Sequence, residues 1–221
     1  MSKPLAFLDL DGVVYDVVGA ICRVLQERWL LPVFPEDVTD YNMTHLARYA
    51  APVRQQEVAG EIIALFSDPK FYHGLKVIPG SQEAVMLLCR HYDLWALTGR
   101  PIKNGVAKVT RERVMADFPW LEGRSVGGER QAKVRFCDPK QKHRLAREYR
   151  AARVFEDNPK TANRVARNGV SVTLIRTPYM GFVGGPRIHI VDSLLEAAKD
   201  ITNRPNPLDA LLRNRLEGAL G

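Results

Sequence analysis

The sequence predicts an α/β fold, a doubly wound parallel sheet that carries a small helical cap. Short apolar runs that end in polar residues alternate with amphipathic stretches of about ten to fifteen residues, which is the pattern of βαβ units. Residues 31–77 interrupt this alternation, because they contain four prolines and helical pieces such as residues 58–66 but no convincing strand. We therefore expect a core of residues 1–18 and 78–200, with an inserted helical cap of residues 19–77.

The individual elements follow from the spacing of apolar residues. Residues 5–10 form an apolar run closed by Asp11-Gly12, which predicts a buried strand and a sharp turn, and residues 16–30 have the spacing of an amphipathic helix. Further strands are predicted at residues 94–97, 133–137, 154–156, 170–175 and 188–191. Helices are predicted at residues 82–90, 106–118, 141–150 and 158–169. Residues 201–221 are expected to form a C-terminal linker and a short helix.

Composition bounds the class of protein. A chain of 221 residues that is 46% hydrophobic and 26% charged is typical of a soluble globular protein, which excludes disorder, collagen and coiled coil. Three distant cysteines predict neither a disulfide framework nor a zinc site. We see no signal peptide and no apolar run of roughly 18 residues, so we expect a cytoplasmic protein without membrane contact.

The net charge of +7 suggests an anionic partner. The excess is concentrated in residues 99–150, which hold 14 basic and 6 acidic residues. This segment flanks the site predicted below, although a solvated helical face would have the same composition.

Polar residues follow three predicted strands where each one ends. They are Asp9 and Asp11, then Thr98 and Gly99, and finally Glu156 and Asp157. Ligands of open α/β sheets lie outside the carboxyl ends of the strands, so we expect these side chains at one edge. Carboxylates this close need a metal, a proton or a phosphate-binding role, and oxygen ligands from Asp9 and Asp157 suit Mg²⁺. The pattern predicts phosphoryl chemistry with Asp9 as nucleophile and Asp11 as acid and base, while Thr98 and a lysine hold the phosphoryl group.

The same residues carry a resemblance to a known superfamily. The segments are Phe7-Leu-Asp-Leu-Asp-Gly12, Leu97-Thr-Gly-Arg-Pro101, Lys142 and Val154-Phe-Glu-Asp-Asn158. In this order they resemble the four motifs of the haloacid dehalogenase superfamily, over residues 5–176. The resemblance implies a Rossmann-like core, Mg²⁺ as cofactor and hydrolysis through an aspartyl-phosphate.

The resemblance also assigns residues to the metal and to the phosphate. It implies that the Asp9 carboxylate, the Asp11 backbone carbonyl and Asp157 hold the metal. Glu156 is a further candidate ligand, although it could instead compensate a helix dipole. The spacing of the lysine motif favours Lys142 over Lys140, which stays an alternative.

A closer resemblance lies where the predicted cap returns to the core. Residues 68–85, which include Tyr72 and Pro79-Gly80, are similar to a segment of 5'(3')-deoxyribonucleotidases. This implies a nucleoside monophosphate substrate. Candidate substrate-binding residues are Leu10, Gly99, Arg100 and Tyr72. Aromatic residues at such positions are more often part of the core, however, so Tyr72 could belong to the core of the cap, and Arg100 could be solvated. The Thr98-Gly99-Arg100-Pro101 loop departs from the Thr-Ser-Pro usual in that family.

Two other functions stay open at this point. The first is a polynucleotide 3'-phosphatase, because the same core occurs in enzymes of nucleic-acid end repair and the segment after Gly99 is basic. The second is a catalytically idle protein that binds nucleic acid through its basic surface. The complete set of acidic motifs argues against this last reading. Oligomeric state is not predicted.

Overall fold

The central feature of the computed structural model is a six-stranded, wholly parallel sheet. The structure describes residues 2–124, 128–181 and 183–203. The eight strands are β1 (Leu5–Leu8), β2 (Asp93–Thr98), β3 (Glu122–Arg124), β4 (Arg130–Ala132), β5 (Val134–Phe136), β6 (Arg153–Glu156), β7 (Ser171–Ile175) and β8 (Ile188–Val191). The order across the large sheet is β5-β2-β1-β6-β7-β8. The predicted doubly wound sheet is therefore confirmed, with β1 at its centre.

Within the described residues, eight α-helices accompany the strands. They are α1 (Val17–Trp29), α2 (Gln55–Leu65), α3 (Pro69–Gly74), α4 (Ser81–His91), α5 (Val106–Asp117), α6 (Lys142–Glu148), α7 (Pro159–Arg167) and α8 (Leu194–Asn203). Several begin as the sequence predicts. The Asp16 side chain accepts a hydrogen bond from the Gly19 N–H at the start of α1, and Asn158 caps α7 ahead of Pro159.

The sheet buries both of its faces, because alternate residues of each strand point to opposite sides. In β1, Ala6 and Leu8 belong to the larger apolar cluster, whereas Phe7 lies in a second cluster together with Leu97 and Val154. β1 is therefore covered on both sides, which explains why its sequence is a continuous apolar run.

The chain between β1 and α4 is helical where the sequence predicts a cap. It contains α1, α2 and α3 together with short 3₁₀ turns, and none of the described residues there joins the large sheet. The predicted boundary between residues 18 and 19 falls inside α1, which runs through it without a break. Ile62 of α2 also shares the larger apolar cluster with Leu8 of β1. The exact division into cap and core remains a proposal.

The two connections that join these helices to the sheet are paired with each other. The Asp16 N–H donates to the Lys76 carbonyl at 2.9 Å, and the Ile78 N–H donates to the Val14 carbonyl at 2.9 Å. The outgoing and returning chain thus meet beside Tyr15, close to the carboxyl end of β1.

Two elements lie outside the sequence prediction. The antiparallel pair β3–β4 is too short for its three-residue strands to show an alternating pattern, and α8, which packs on α4, was not predicted. The predicted C-terminal helix lies outside the described residues. Among the described residues, no helix is both long and apolar enough to cross a bilayer.

Candidate active site

The carboxyl ends of β1, β2 and β6 bring the predicted site residues to one edge of the sheet. These three strands are neighbours, in the order β2-β1-β6. Asp9 follows β1, Thr98 ends β2, and Glu156 ends β6 directly before Asp157. Their position matches the place where open α/β sheets bind ligands.

Lys142 lies among the buried carboxylates. Its ammonium group forms ion pairs with Asp9 and, at 3.1 Å, with Glu156 Oε2, and all three side chains are almost fully buried. Burial acts to lower the pKa of Lys142, but the neighbouring Asp9 and Glu156 outweigh it and raise the pKa. Lys140 is exposed, so of the two candidate lysines the structure places Lys142 at the acids.

Asp9, Glu156 and Asp157 form a compact group of carboxylates. Each offers one oxygen atom, and the three atoms lie within 4.8 Å of one another. Burial, together with the charge of Glu156, raises the pKa of Asp9 well above its usual value, and Lys142 opposes this only in part. Burial and the charge of Asp9 raise the pKa of Asp157 to about 7. One lysine therefore does not suffice to keep all three carboxylates ionised in this buried site.

One oxygen of this group has the character of a metal ligand. Asp157 Oδ1 is buried and accepts no hydrogen bond from any residue that the structure describes, whereas Oδ2 accepts one from the Tyr179 hydroxyl group. A buried carboxylate oxygen without a donor is costly unless a cation binds it. Oxygen-only donors fit a hard cation such as Mg²⁺.

Gly12 allows the backbone to approach this acid. A Cβ atom at Gly12 would lie 2.0 Å from Asp157 Oδ2, and the residue has φ +75, a left-handed conformation that side chains disfavour. The Asp-x-Asp-Gly motif thus needs its glycine for both space and conformation.

The Asp11 side chain is turned to a different partner. β1 ends at Leu8, and the Asp11 carboxylate binds the Arg100 guanidinium, with Nη2 at 2.5 Å from Oδ1. β1 ends before both acids, so the strand does not by itself place their carboxylates on one side, although the charge of Asp11 contributes to the raised pKa of Asp9. The metal contact that the resemblance implies for Asp11 concerns its backbone carbonyl, so this pairing does not conflict with it.

The remaining predicted residues line or support the site. Thr98 Oγ1 accepts a hydrogen bond from the Arg100 N–H at 3.2 Å, and the Leu10 N–H donates to Asp9 Oδ1 at 2.8 Å. Leu10 and Thr98 are fully buried. Gly99 lies so close to Pro139 that a Cβ atom would be 2.6 Å from its Cγ.

A cavity of about 260 Å³ opens above the carboxylates. Asp9, Asp11 and Asp157 line one end of it, and Tyr72, Gly99 and Arg100 also border it. Its other walls come from residues that the sequence does not identify as site residues, namely Tyr41, Asn42, Met43, Phe66 and Tyr179 among others. The rings of Tyr41 and Tyr179 meet edge to face, with centroids 5.8 Å apart. Tyr41 and Met43 lie in an irregular stretch, where no periodicity marks them.

Comparison with solved structures supports the fold. A haloacid dehalogenase family hydrolase from Deinococcus radiodurans R1, with bound phosphate and sodium, is 15% identical with a TM-score of 0.54, covering 88% of this chain and 93% of that one. A superfamily hydrolase of subfamily IA, variant 1, from Geobacter sulfurreducens PCA is 14% identical with a TM-score of 0.53, covering 91% and 97%. Both show the fold of the haloacid dehalogenase superfamily.

The matches found by sequence comparison cover a smaller part of the chain and point to a more specific family. A Staphylococcus epidermidis protein named "Putative 5'(3')-deoxyribonucleotidase" is 28% identical over 122 residues, which are 55% of this chain and 64% of that protein. The match thus spans less than two thirds of its relative. The family model described as "5' nucleotidase, deoxy (Pyrimidine), cytosolic type C protein" matches residues 3–126, more than half of the chain. With its fold and acidic motifs in agreement, the chain belongs to this nucleotidase family of the haloacid dehalogenase superfamily.

Proposed function

We propose that this protein is a Mg²⁺-dependent phosphomonoester hydrolase that acts on deoxynucleoside monophosphates through an aspartyl-phosphate. The observation that carries the proposal is the buried group of Asp9, Glu156, Asp157 and Lys142 beside a cavity that Asp9 and Asp157 border together with aromatic and apolar residues. A lining that combines charged and aromatic groups suits a ligand that has a phosphate and a nucleoside.

Asp9 has the surroundings of an oriented nucleophile. Lys142 pairs with its carboxylate, and the Leu10 N–H binds Oδ1. These contacts hold the carboxylate in one orientation, which lowers the entropic cost of reaching the attacking geometry. Lys142 also supplies positive charge close to the point where the phosphoryl group would be transferred.

The reaction then needs two proton transfers. In the first step an Asp9 oxygen attacks phosphorus, the bond to the ester oxygen breaks, and protonated Asp11 donates its proton to the departing alkoxide. In the second step Asp11 accepts a proton from water, whose oxygen attacks the same phosphorus. Inorganic phosphate leaves, and the Asp9 carboxylate is restored.

Asp9, Asp157 and the Asp11 backbone carbonyl would hold Mg²⁺, with Glu156 close by. When bound, the cation supplies positive charge that offsets repulsion between the acids and the phosphate. Support for this set comes from Asp157 Oδ1, which accepts no hydrogen bond within the described part of the chain. The bound sodium and phosphate named for the Deinococcus hydrolase are consistent with a cation site in this fold.

Cavity size favours a mononucleotide. Pockets for small molecules commonly enclose roughly 300–1,000 Å³, and the cavity here has about 260 Å³. This volume is slightly below that range, which suits one small ligand. The name of the staphylococcal relative points to the same substrate class.

Phosphate release is the direct test. We would measure it with Mg²⁺ from deoxynucleoside monophosphates, and from an oligonucleotide carrying a 3'-phosphate. Asp9→Asn should abolish release, whereas Asp200→Asn, the same change at an exposed position of α8, should leave it unchanged. Turnover by Asp9→Asn would refute the nucleophile. Faster phosphate release from the oligonucleotide than from the mononucleotides would show that the substrate is the 3' end of a polynucleotide.

A further inference from the structure

Arg100 is a buried arginine whose side chain points at one carboxylate. Only 1% of the side chain is exposed. Its Nε lies 3.1 Å from both oxygens of Asp11, and its Nη2 lies 2.5 Å from Oδ1. Two guanidinium nitrogens thus bind the same carboxylate, an arrangement that restricts its rotation.

The guanidinium group is itself held from several sides. Nη1 donates to Thr110 Oγ1 at 3.3 Å. The rings of Tyr15 and Tyr72 lie against it, with centroids 5.0 and 4.4 Å from Cζ. At the backbone, the Arg100 N–H donates to Thr98 Oγ1. These contacts fix the orientation of the Arg100 guanidinium, which in turn fixes the orientation of the Asp11 carboxylate.

Stability alone does not account for such a pair. A buried ion pair commonly contributes no more than apolar residues of the same volume, because both ions lose their hydration. A solvated loop arginine, which the sequence also permits, does not match this burial. The side-chain nitrogens of Arg100 are directed to Asp11 and Thr110 in this structure.

We propose that Arg100 is a positioning residue for Asp11: it holds the carboxylate in the orientation from which Asp11 exchanges a proton with the leaving oxygen. The proposal rests on the proposed function, in which Asp11 is the acid and base. It gives a role to the arginine that follows the threonine and glycine of the second motif.

Positioning of the acid has a consequence that depends on the leaving group. The alkoxide of a deoxynucleoside is strongly basic and needs a proton as it departs. The p-nitrophenolate ion is stable at neutral pH and departs without one. Loss of a positioned general acid typically costs roughly 10²- to 10⁴-fold in rate, and this cost should fall mainly on the alkoxide.

The experiment compares two substrates and three arginine variants. Kinetic constants kcat and KM are measured for a deoxynucleoside monophosphate and for p-nitrophenyl phosphate. Arg100→Lys keeps the charge but cannot bind both carboxylate oxygens through one planar fork. We expect release of the nucleoside in the first turnover, before the aspartyl-phosphate is hydrolysed, to slow by roughly 100-fold, and first-turnover release of p-nitrophenolate to slow by less than about threefold. Hydrolysis of the aspartyl-phosphate, which also needs Asp11, should slow alike for both substrates. Arg100→Gln should show the same selectivity.

Arg113→Lys is the matched control. Arg113 also lies over the Tyr15 ring, at 5.3 Å, and also pairs with a carboxylate, that of Asp117 at 2.8 Å. It does not contact Asp11 in the structure, so the ratio of the two activities should stay at the wild-type value.

Two further variants keep the test decisive if Arg100→Lys folds poorly. Thr110→Val removes only the hydroxyl group that binds Nη1, so it should lower nucleotide turnover in the same selective way but less strongly. Asp11→Asn should reproduce the selectivity, and adding Arg100→Lys to it should cause no further loss, since both act through one group.

Each outcome has a separate meaning. Equal slowing of leaving-group release from both substrates in the first turnover, or a raised KM with unchanged kcat, would overturn the positioning role, and the second result would make Arg100 a phosphate contact. If the wild-type protein releases phosphate from neither substrate, the proposed function itself fails.

Discussion

The Tyr179 hydroxyl group donates a hydrogen bond to Asp157 Oδ2. Tyr179 lies in the loop that follows β7, and Asp157 follows the adjacent strand β6. The bond occupies one oxygen of Asp157 and leaves Oδ1 directed to the proposed cation. It would therefore orient Asp157 as a ligand of the proposed cation.

Tyr179→Phe should weaken Mg²⁺ binding. Removing a partner that orients a metal ligand typically lowers metal affinity by roughly 10- to 100-fold. Titration calorimetry of the wild-type protein and the variant with MgCl₂ measures this directly, without reference to turnover.

Tyr49→Phe provides the control for this prediction. The Tyr49 hydroxyl group also donates to a carboxylate, Asp37 Oδ1 at 2.6 Å, but within the inserted helical region. Its loss should not alter Mg²⁺ binding. Equal affinity in the Tyr179 variant and the wild type would show that this hydrogen bond does not organise the site.

Gly12→Ala should abolish activity by displacing Asp157. The new methyl group would lie 2.0 Å from Oδ2, so the acid or the turn must move, and a shift of about 1 Å in a site can cost roughly 100-fold in rate. The measurement is phosphate release at saturating Mg²⁺, alongside thermal unfolding.

Gly169→Ala separates backbone strain from this clash. Gly169 has φ +86, but no atom lies within 4 Å of the position that its Cβ would take. We expect it to lose roughly 1–2 kcal/mol of stability and to retain full activity. An active Gly12→Ala protein would mean that the turn can relax around the methyl group.

Lys142→Met should destabilise the fold. It removes the positive charge that pairs with Asp9 and Glu156 and leaves two buried carboxylates uncompensated, which typically costs about 3–5 kcal/mol. Denaturant unfolding at neutral pH and without Mg²⁺ should show this loss, and phosphate release should fall as well.

The neighbouring lysine gives the comparison. Lys140 is exposed, and surface substitutions usually change stability by less than about 0.5 kcal/mol. Lys140→Met should therefore behave as wild type in both measurements. If Lys140→Met lost more stability and more phosphate release than Lys142→Met, the phosphate-stabilising role would belong to Lys140.

Tyr41→Ala should weaken nucleotide binding and spare the chemistry. Tyr41 lines the cavity and packs on Tyr179, so truncation removes an aromatic wall. Loss of one stacking ring is typically worth about 1–3 kcal/mol, which predicts a KM for deoxynucleotides raised by roughly tenfold or more, with inhibition by inorganic phosphate unchanged.

Tyr149→Ala is matched to it in exposure, at 39% against 38% for Tyr41, but lies outside the cavity. It should leave KM unaltered. If Tyr41→Ala also left KM unaltered, the nucleoside would have to lie elsewhere.

The sheet and the acidic edge could be predicted because they depend on local patterns. Apolar runs mark strands that are buried on both faces, and the residues that follow parallel strands meet at one edge, as Asp9, Thr98 and Asp157 do. The helical insertion was also predictable, since prolines and missing alternation exclude a strand there. The ends of the elements were harder to predict, since β1 ends at Leu8, two residues before its apolar run ends.

Contacts between distant parts of the chain could not be read in this way. Nothing local pairs Arg100 with Asp11, 89 residues away, or brings Tyr41 against Tyr179. The three-residue strands β3 and β4 are shorter than any periodicity can reveal, and α8 owes its position to packing on α4. These features depend on tertiary packing, which sequence patterns record weakly.

The paired connections at Val14–Asp16 and Lys76–Ile78 close the insertion into a loop whose two ends lie side by side. Backbone hydrogen bonds join its two ends where the chain leaves and re-enters the core, so the sheet connects to a short paired segment. The entropic cost of closing such a loop grows only slowly with the number of residues in it. Residues of the insertion that do not pack on the sheet, as Ile62 does, could therefore be added, removed or exchanged, and the accepted ligand changed, while the two ends of the insertion stay paired.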